Sequence, residues 1–525
     1  MNVLEYIVLC FMNQDVRHVF GIPGNQLTPI FEALYHHRKE IKFINCRSEA
    51  GASLMADGYA KSSGNIGVCM ISPGPGAANT YIGVLEAYTS CSPLLLITVK
   101  GSAKFDEKGE ERLFHGLDHS EAFKSVTKWQ CRVEKAEDIS NALKNVFEQL
   151  LSGRPAPVVL ELRSDILDKK VDVEVPEKYI FQKKKAMFQD IKEVARIISN
   201  AKSPVIIAGR EVFSSKAENE LLELANKIYA PILTTTMGKG VISDYEELAL
   251  GSILNYNYEK KMDAVMDNAD LCIAIGVRFT QLDTDSWSMK INLPMVTISV
   301  DDIYLNRDYK SEKFLIGNLK LNINALLEKV SRREPSFNQK SLIKNFKEEM
   351  EQIDYPGLIR NFQDVMPENS ILVNDVHIEG FSYAHYKVES CSDYIHSGLS
   401  FGIGYALPAA IGAKLAFPDR KVAAFCGDGG FLMNSSELST IMKYGVAITI
   451  VIVNDGSYGT IKRRQNTYIH ETIGLNLYNP DFLTLAKAYN MKAFQVTDLN
   501  DFNKTLKKAL DLQEPVIVEV IKTWR

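Results

Sequence analysis

The chain has 525 residues, 46% of them hydrophobic and 24% charged, a globular composition with material for about three to four domains. Lys and Arg total 60 against 65 Asp and Glu, so the formal charge of −5 gives nucleic-acid binding no compositional support. The eight cysteines are scattered singly with no CxxC pair, which excludes a zinc ribbon and a thioredoxin-type site and fits reduced core residues.

The first residues carry Glu5 and no basic n-region, a poor signal peptide. No apolar run approaches the roughly 20 residues of a membrane helix, and a cytoplasmic protein without membrane contact is expected. Residues 1–165 then repeat one rhythm of short apolar strand, Gly/Pro/Ser loop and amphipathic helix. Strands are predicted over 16–20, 43–46, 67–72 and 94–99, followed by the loops GIPGN, RSE, SPGPGAAN and KGSAK. Alternating β and α units imply a parallel sheet whose ligand-facing residues sit in the loops after the strands. A charged stretch over 166–190, including KKK at 183–185, reads as a linker. A second α/β block over 191–330 has strands near 205–208, 232–235, 271–275 and 295–300, and a second charged linker covers 331–344. The last block, 345–525, has strands at 371–373, 422–426 and 446–453. The fold class is α/β, three domains with mainly parallel sheets.

The strongest local signal lies in the last block. The strand over 422–426 ends in Gly427-Asp428-Gly429-Gly430, and a helix is expected to follow with Asn434 as N-cap and Glu437 as its capping-box partner. Gly445 supplies the helix stop, and the strand over 446–453 runs into Asn454-Asp455-Gly456-Ser457. In such a βαβ unit the two strands can be neighbours, so Asp428 and Asp455 point oxygens toward one place, suited to Mg²⁺ and phosphate. Either tetrapeptide alone reads as a turn. Both at the ends of one βαβ unit read as a site.

Together with GDG and the Asn454-Asp455 pair, five further segments resemble one family. They are FGIPG (20–24), SEAGASLMADGYAK (48–61), SPGPGAAN (72–79), GVRF (276–279) and GIGYALPAAIGA (402–413). The chain is similar to thiamin-diphosphate enzymes of the acetolactate synthase and 2-oxo-acid decarboxylase branch, whose outer domains bind the cofactor's pyrimidine and diphosphate. The resemblance implies that Asp428 and Asp455 bind Mg²⁺ with the carbonyl of Ser457, although many relatives have Asn where Asp455 stands. It places the diphosphate against Gly427, Gly429, Gly430, Tyr458 and the turn Asp375, Val376, His377. His377 replaces a residue usually small in relatives, and reads equally as a phosphate contact or an ordinary loop histidine. Ile403 would prop the cofactor into its bent form beside Phe401, and Gly74 and Pro75 would let the pyrimidine approach. Asn79 either joins them or caps the following helix.

Glu49 matches the glutamate that hydrogen-bonds N1′ of the aminopyrimidine, so that the 4′-amino group in its imino form can remove the C2 proton. Relatives often have His before this Glu, and here it is Ser48. Asn25 matches a position facing the reacting carbon, and Phe114 and His115 an aromatic-plus-polar pair lining the substrate pocket, with His115 a candidate proton relay. The His115/His119 HxxxH spacing lacks a third metal ligand and is interrupted by Gly116. Lys462-Arg463-Arg464 reads equally as a contact for an anionic substrate or a solvated helix face. GSILNYNYEKK (251–261) lacks the Gly-rich stretch associated with flavin, so FAD is not expected. The implied activity is decarboxylation of a 2-oxo acid with transfer of the resulting enamine to a second carbonyl acceptor, by a homodimer or homotetramer. A decarboxylase releasing an aldehyde (a lyase rather than a transferase) and a catalytically silent binding subunit remain as alternatives.

Overall fold

The computed structural model describes residues 1–253, 265–335, 337–352, 358–376 and 385–522. Three six-stranded sheets follow one another along the chain. The first contains β1 (His18–Gly21), β2 (Lys42–Asn45), β3 (Gly67–Met70), β4 (Leu94–Lys100), β5 (Trp129–Val133) and β6 (Val158–Arg163), in the order β2-β1-β3-β4-β6-β5 with every pairing parallel. The second contains β7 (Pro204–Ala208), β8 (Ile232–Thr234), β9 (Ala249–Ser252), β10 (Leu271–Ile275), β11 (Met295–Ser299) and β12 (Lys313–Ile316), in the order β12-β11-β10-β7-β8-β9. The third contains β13 (Ile371–Asn374), β14 (Tyr394–His396), β15 (Val422–Gly427), β16 (Thr449–Asn454), β17 (Lys492–Val496) and β18 (Val516–Ile521), in the order β14-β13-β15-β16-β18-β17.

The orders reverse direction between β1 and β3, between β7 and β10, and between β13 and β15, and the first and third turn back again at their last pair, β6-β5 and β18-β17. In open parallel sheets the crevice at such a reversal, beyond the carboxyl ends of the strands, is where ligands bind. At the first reversal the backbones close in: a Cβ on Gly21 would stand 1.9 Å from the Met70 carbonyl oxygen. The segments beginning at Ile22, Ile71, Asp375 and Asp428 therefore leave the sheets at reversal points.

The chain divides into two compact units. One holds residues 1–181, 365–380 and 395–525, and with them the first and third sheets. Its centre is the pair of helices Glu49–Ser63 and Ala406–Ala416, both rich in Ala and Gly. The small residues bring the backbones together: a Cβ on Gly58 would lie 2.4 Å from the Ala409 carbonyl oxygen, and one on Gly412 2.0 Å from that of Met55. Around this contact one core joins Leu54, Met55 and Tyr59 to Ala410, Ile411, Phe431 and Ile450. The stretch read as a linker contributes Val171, Val173, Val175, Tyr179 and Phe181, packed at alternate positions against the other face of the first sheet. The second unit, residues 182–364 and 381–394, has its own core built on β7, β10 and β11. Within it the charged stretch 331–344 runs into helix Phe337–Glu351.

Seven of the eight cysteines are buried and all are free, as the scattered pattern implied. Among the described residues no helix is long and apolar enough to cross a membrane.

Candidate active site

At the end of β15 the chain turns directly into helix Asp428–Met433. Asp428 is 2% exposed, and burial pushes its carboxyl above the usual range. Its Oδ1 accepts the Gly429 N–H at 2.9 Å, while Oδ2 accepts the Gly456 N–H at 2.9 Å and the Asn479 amide at 2.6 Å. The same Asn479 nitrogen lies 2.9 Å from Asn454 Oδ1, and Asn479 Oδ1 is buried without a hydrogen-bond partner among the described residues. Asp455 accepts the Ser457 N–H at 3.1 Å within its own turn. Thus Asn479 ties Asp428 to Asn454. Its only sequence mark is that it precedes Pro480, an ordinary turn signal.

Gly429 and Gly430 form a floor with no room for side chains. A Cβ on Gly429 would stand 2.7 Å from the Tyr458 ring, and one on Gly430 3.2 Å from Asp375 Oδ2 and 3.3 Å from Ile403. Asp375 is 3% exposed and directs its carboxylate into the protein: Oδ1 accepts from Val376 N at 2.7 Å and Gly404 N at 3.0 Å, and Oδ2 from Ala406 N at 3.1 Å. Burial holds its pKa up at about 6 against those bonds. The carboxylate pins the turn in which Phe401 and Gly404 have φ of 47° and 87°, leaving Ile403 37% exposed. His377 lies outside the described residues, as do residues 254–261 of the stretch bearing on flavin.

The expected capping box does not form. The helix breaks into Asp428–Met433 and Leu438–Tyr444, and Asn434 donates instead to the Gly404 carbonyl at 2.8 Å. Glu437 is fully buried and accepts the N–H groups of Arg47 at 3.1 Å and Ser48 at 3.0 Å. Tertiary partners thus claim both side chains that local spacing assigned to a helix cap.

Glu49 is the first residue of its helix, where a carboxylate is favoured, and Ser48 caps that helix by accepting the Gly51 N–H at 2.9 Å. Asn79 donates to Glu49 Oε2 at 3.2 Å, and a Cβ on Gly76 would stand 3.5 Å from Oε1. Gly74, at φ 62° and ψ −113°, precedes the short helix Pro75–Asn79, and a Cβ there would meet the His115 carbonyl oxygen at 2.7 Å. His115 has φ 58°; its Nδ1 is 3.3 Å from Gln26 Nε2, and the exposed Phe114 ring stacks on it at 3.9 Å. Gln26, beside the exposed Asn25, carries no motif signal because GIPGN ends one residue earlier. Lys462, Arg463 and Arg464 lie on helix Gly459–Ile469, which buries none of its side chains.

The sequence matches the thiamine pyrophosphate enzyme N-terminal TPP binding domain over residues 1–122, the central domain over 191–326 and the C-terminal TPP binding domain over 378–520. It is 30% identical to a probable acetolactate synthase large subunit of Methanococcus aeolicus, over 99% of this chain and 92% of that protein. The chain belongs to the thiamine pyrophosphate enzymes, in their acetolactate synthase branch. An acetolactate synthase large subunit of Lactococcus lactis is 29% identical over 96% of this chain and 90% of its own length. The same identity holds for a putative thiamine pyrophosphate-containing protein, YdaP, of Bacillus subtilis, over 96% and 89%. In this thiamin-diphosphate-dependent enzyme the N-terminal match carries Glu49, Gly74 and His115, and the C-terminal match carries Asp428, Asp455 and Ile403.

Proposed function

We propose that this enzyme uses thiamin diphosphate with Mg²⁺ to decarboxylate a 2-oxo acid and join the remaining fragment to a second carbonyl compound. The observation that carries the reading is the arrangement of the first compact unit. Its two sheets reverse order beside loops bearing the Glu49–Asn79 pair on one and the Asp428–Asn479 pair on the other. The residues present fit the cofactor: Gly429 and Gly430 keep side chains off the start of helix Asp428–Met433, and Asp428, Asp455 and the Asn479 oxygen are hard donors. Asp428, Asp455 and the Ser457 carbonyl would hold Mg²⁺, with Gly427, Gly429, Gly430, Tyr458 and the turn from Asp375 and Val376 to His377 around the diphosphate.

When bound, thiamin diphosphate supplies the electron sink for loss of carbon dioxide. Glu49 holds a proton at N1′ of the pyrimidine, and Asn79 keeps its carboxylate oriented. Ile403 would support the cofactor from beside Phe401, and Gly74 and Pro75 would leave room for the pyrimidine. His115, steadied by Gln26 and Phe114, moves a proton at the substrate oxygen. Asn25 is neutral and a poor acid. It binds without quenching, which favours joining two carbonyl compounds over releasing an aldehyde. The relatives named acetolactate synthase large subunits support the same outcome. Release of an aldehyde is the second reading, favoured by the His115–Gln26 contact: the Gln26 amide nitrogen donates to Nδ1, which leaves the ring proton on Nε2. A silent subunit is disfavoured by the intact Glu49, Asp428 and Asp455.

We read the enzyme as a cytoplasmic homodimer or homotetramer without FAD, its cofactor domains at 1–165 and 345–525 and the central one at 191–330. The test is product analysis after incubation with paired 2-oxo acids and aldehydes. A hydroxy-ketone or acetohydroxy-acid-type product supports carboligation. Free aldehyde as the sole product refutes it.

A further inference from the structure

His119 lies four residues beyond His115 and has no part in the chemistry above. Its side chain is buried, yet both ring nitrogens have partners. Nδ1 stands 2.5 Å from Glu161 Oε1, and Nε2 is 3.2 Å from the backbone nitrogen of Gly74. A backbone N–H only donates, so Nε2 must be the acceptor and the ring proton must sit on Nδ1. Glu161, on β6, is 2% exposed, and its other oxygen accepts Nε–H of Arg132, on β5. Burial pushes the Glu161 carboxyl up, but its bonds to His119 and Arg132 outweigh that and hold it below the usual range. The HxxxH spacing therefore does not make a metal pair, because both nitrogens of His119 are engaged.

The acceptor end of this chain falls at a sensitive place. Gly74 has a backbone conformation reserved for glycine, its missing Cβ would collide with the His115 carbonyl, and helix Pro75–Asn79 starts from it. That helix carries the Asn79 amide on Glu49. We infer that His119 is a positioning residue: as a neutral imidazole with its tautomer set by Glu161, it fixes the Gly74 turn and, through it, Glu49 and His115. The inference rests on the reading of Glu49 as the group that meets the cofactor.

Amide hydrogen exchange in the cofactor-free enzyme, followed over the peptide containing Gly74, tests the contact directly. His119→Leu keeps bulk but removes the acceptor, whereas His119→Gln can place its amide oxygen where Nε2 stands. The Leu variant is expected to exchange at Gly74 on the order of tenfold faster and to bind thiamin diphosphate on the order of tenfold more weakly, with the Gln variant close to wild type. Glu161→Gln, nearly isosteric, guards against a Leu variant that fails to fold, and it too is expected to speed exchange at Gly74. Unchanged Gly74 exchange in either the Leu or the Glu161→Gln variant overturns the inference, as does a Gln variant as impaired as Leu. A wild-type enzyme that binds no thiamin diphosphate would sink the reading of Glu49, while the exchange data would still decide the role of His119.

Discussion

The Glu49 carboxylate gathers its support from three directions: a helix start beneath it, the Ser48 cap beside it and the Asn79 amide on Oε2. Because the proposed role needs a proton-holding oxygen rather than mere polarity, Glu49→Gln is expected to slow hydrogen–deuterium exchange at C2 of bound thiamin diphosphate by at least about 100-fold. The circular dichroism spectrum and melting temperature should be unchanged, and full exchange in the variant would contradict the role. At the other pole, Asn479→Leu removes the donor shared by Asp428 and Asn454. It should raise the Mg²⁺ concentration needed for half-maximal cofactor binding by about tenfold or more, measured by titration at fixed thiamin diphosphate. Glu49 and Asp428 are legible in the sequence because their neighbours form motifs. Asn479 and Gln26 are not: each is a lone amide whose importance comes from a residue far along the chain, 51 positions away for Asn479 and 89 for Gln26.

At the scale of elements, the strands that precede Gly-rich loops stand out because apolar runs and turn residues meet there. The second strand of the βαβ unit starts at Thr449, three residues later than the apolar run predicts, because residues 446–448 are apolar but precede the ladder. β6 and β18 are illegible in the sequence for another reason: each is buried yet interrupted by a charged residue, Glu161 or Glu519, that a neighbouring side chain satisfies. The misread cap at Asn434 has the same cause, a tertiary partner overriding local spacing. Glu437→Leu should therefore cost stability, leaving the Arg47 and Ser48 N–H groups without their acceptor at about 1–3 kcal/mol each, visible as a lower melting temperature. Gly412→Ala would place a methyl 2.0 Å from a backbone oxygen of the facing helix. Its cost is expected at about 1–3 kcal/mol by urea denaturation, and a neutral result would contradict the close packing described.

Across the whole molecule, alternating strands and helices made the α/β class legible. The packing of helix Glu49–Ser63 on helix Ala406–Ala416 is not legible in the sequence, because contacts between such distant small residues leave no periodic trace. Beside that contact Lys61 binds Glu86 at 2.6 Å and Asp57 at 3.1 Å, all nearly inaccessible to water. Burial alone would raise the Glu86 carboxyl, but the Lys61 charge and bonds from Lys61, Ser400 and Gly398 win and hold it down at about 2, against an ordinary 4.5. The stability this contributes is complete above pH 4.5 and is lost as pH falls toward 2. Asp57 is displaced upward by burial, and its contribution has the opposite sign. Melting temperatures measured between pH 5 and pH 3 should therefore fall more steeply for the wild type than for Glu86→Gln. The most direct test of the whole account is carbon dioxide release from a panel of 2-oxo acids, with and without thiamin diphosphate and Mg²⁺, in the wild type and in Glu49→Gln. Release that requires both additions and Glu49 is the predicted result. Release that persists without cofactor or in the Glu49→Gln enzyme, or no release from any acid in the fully loaded wild type, would contradict it.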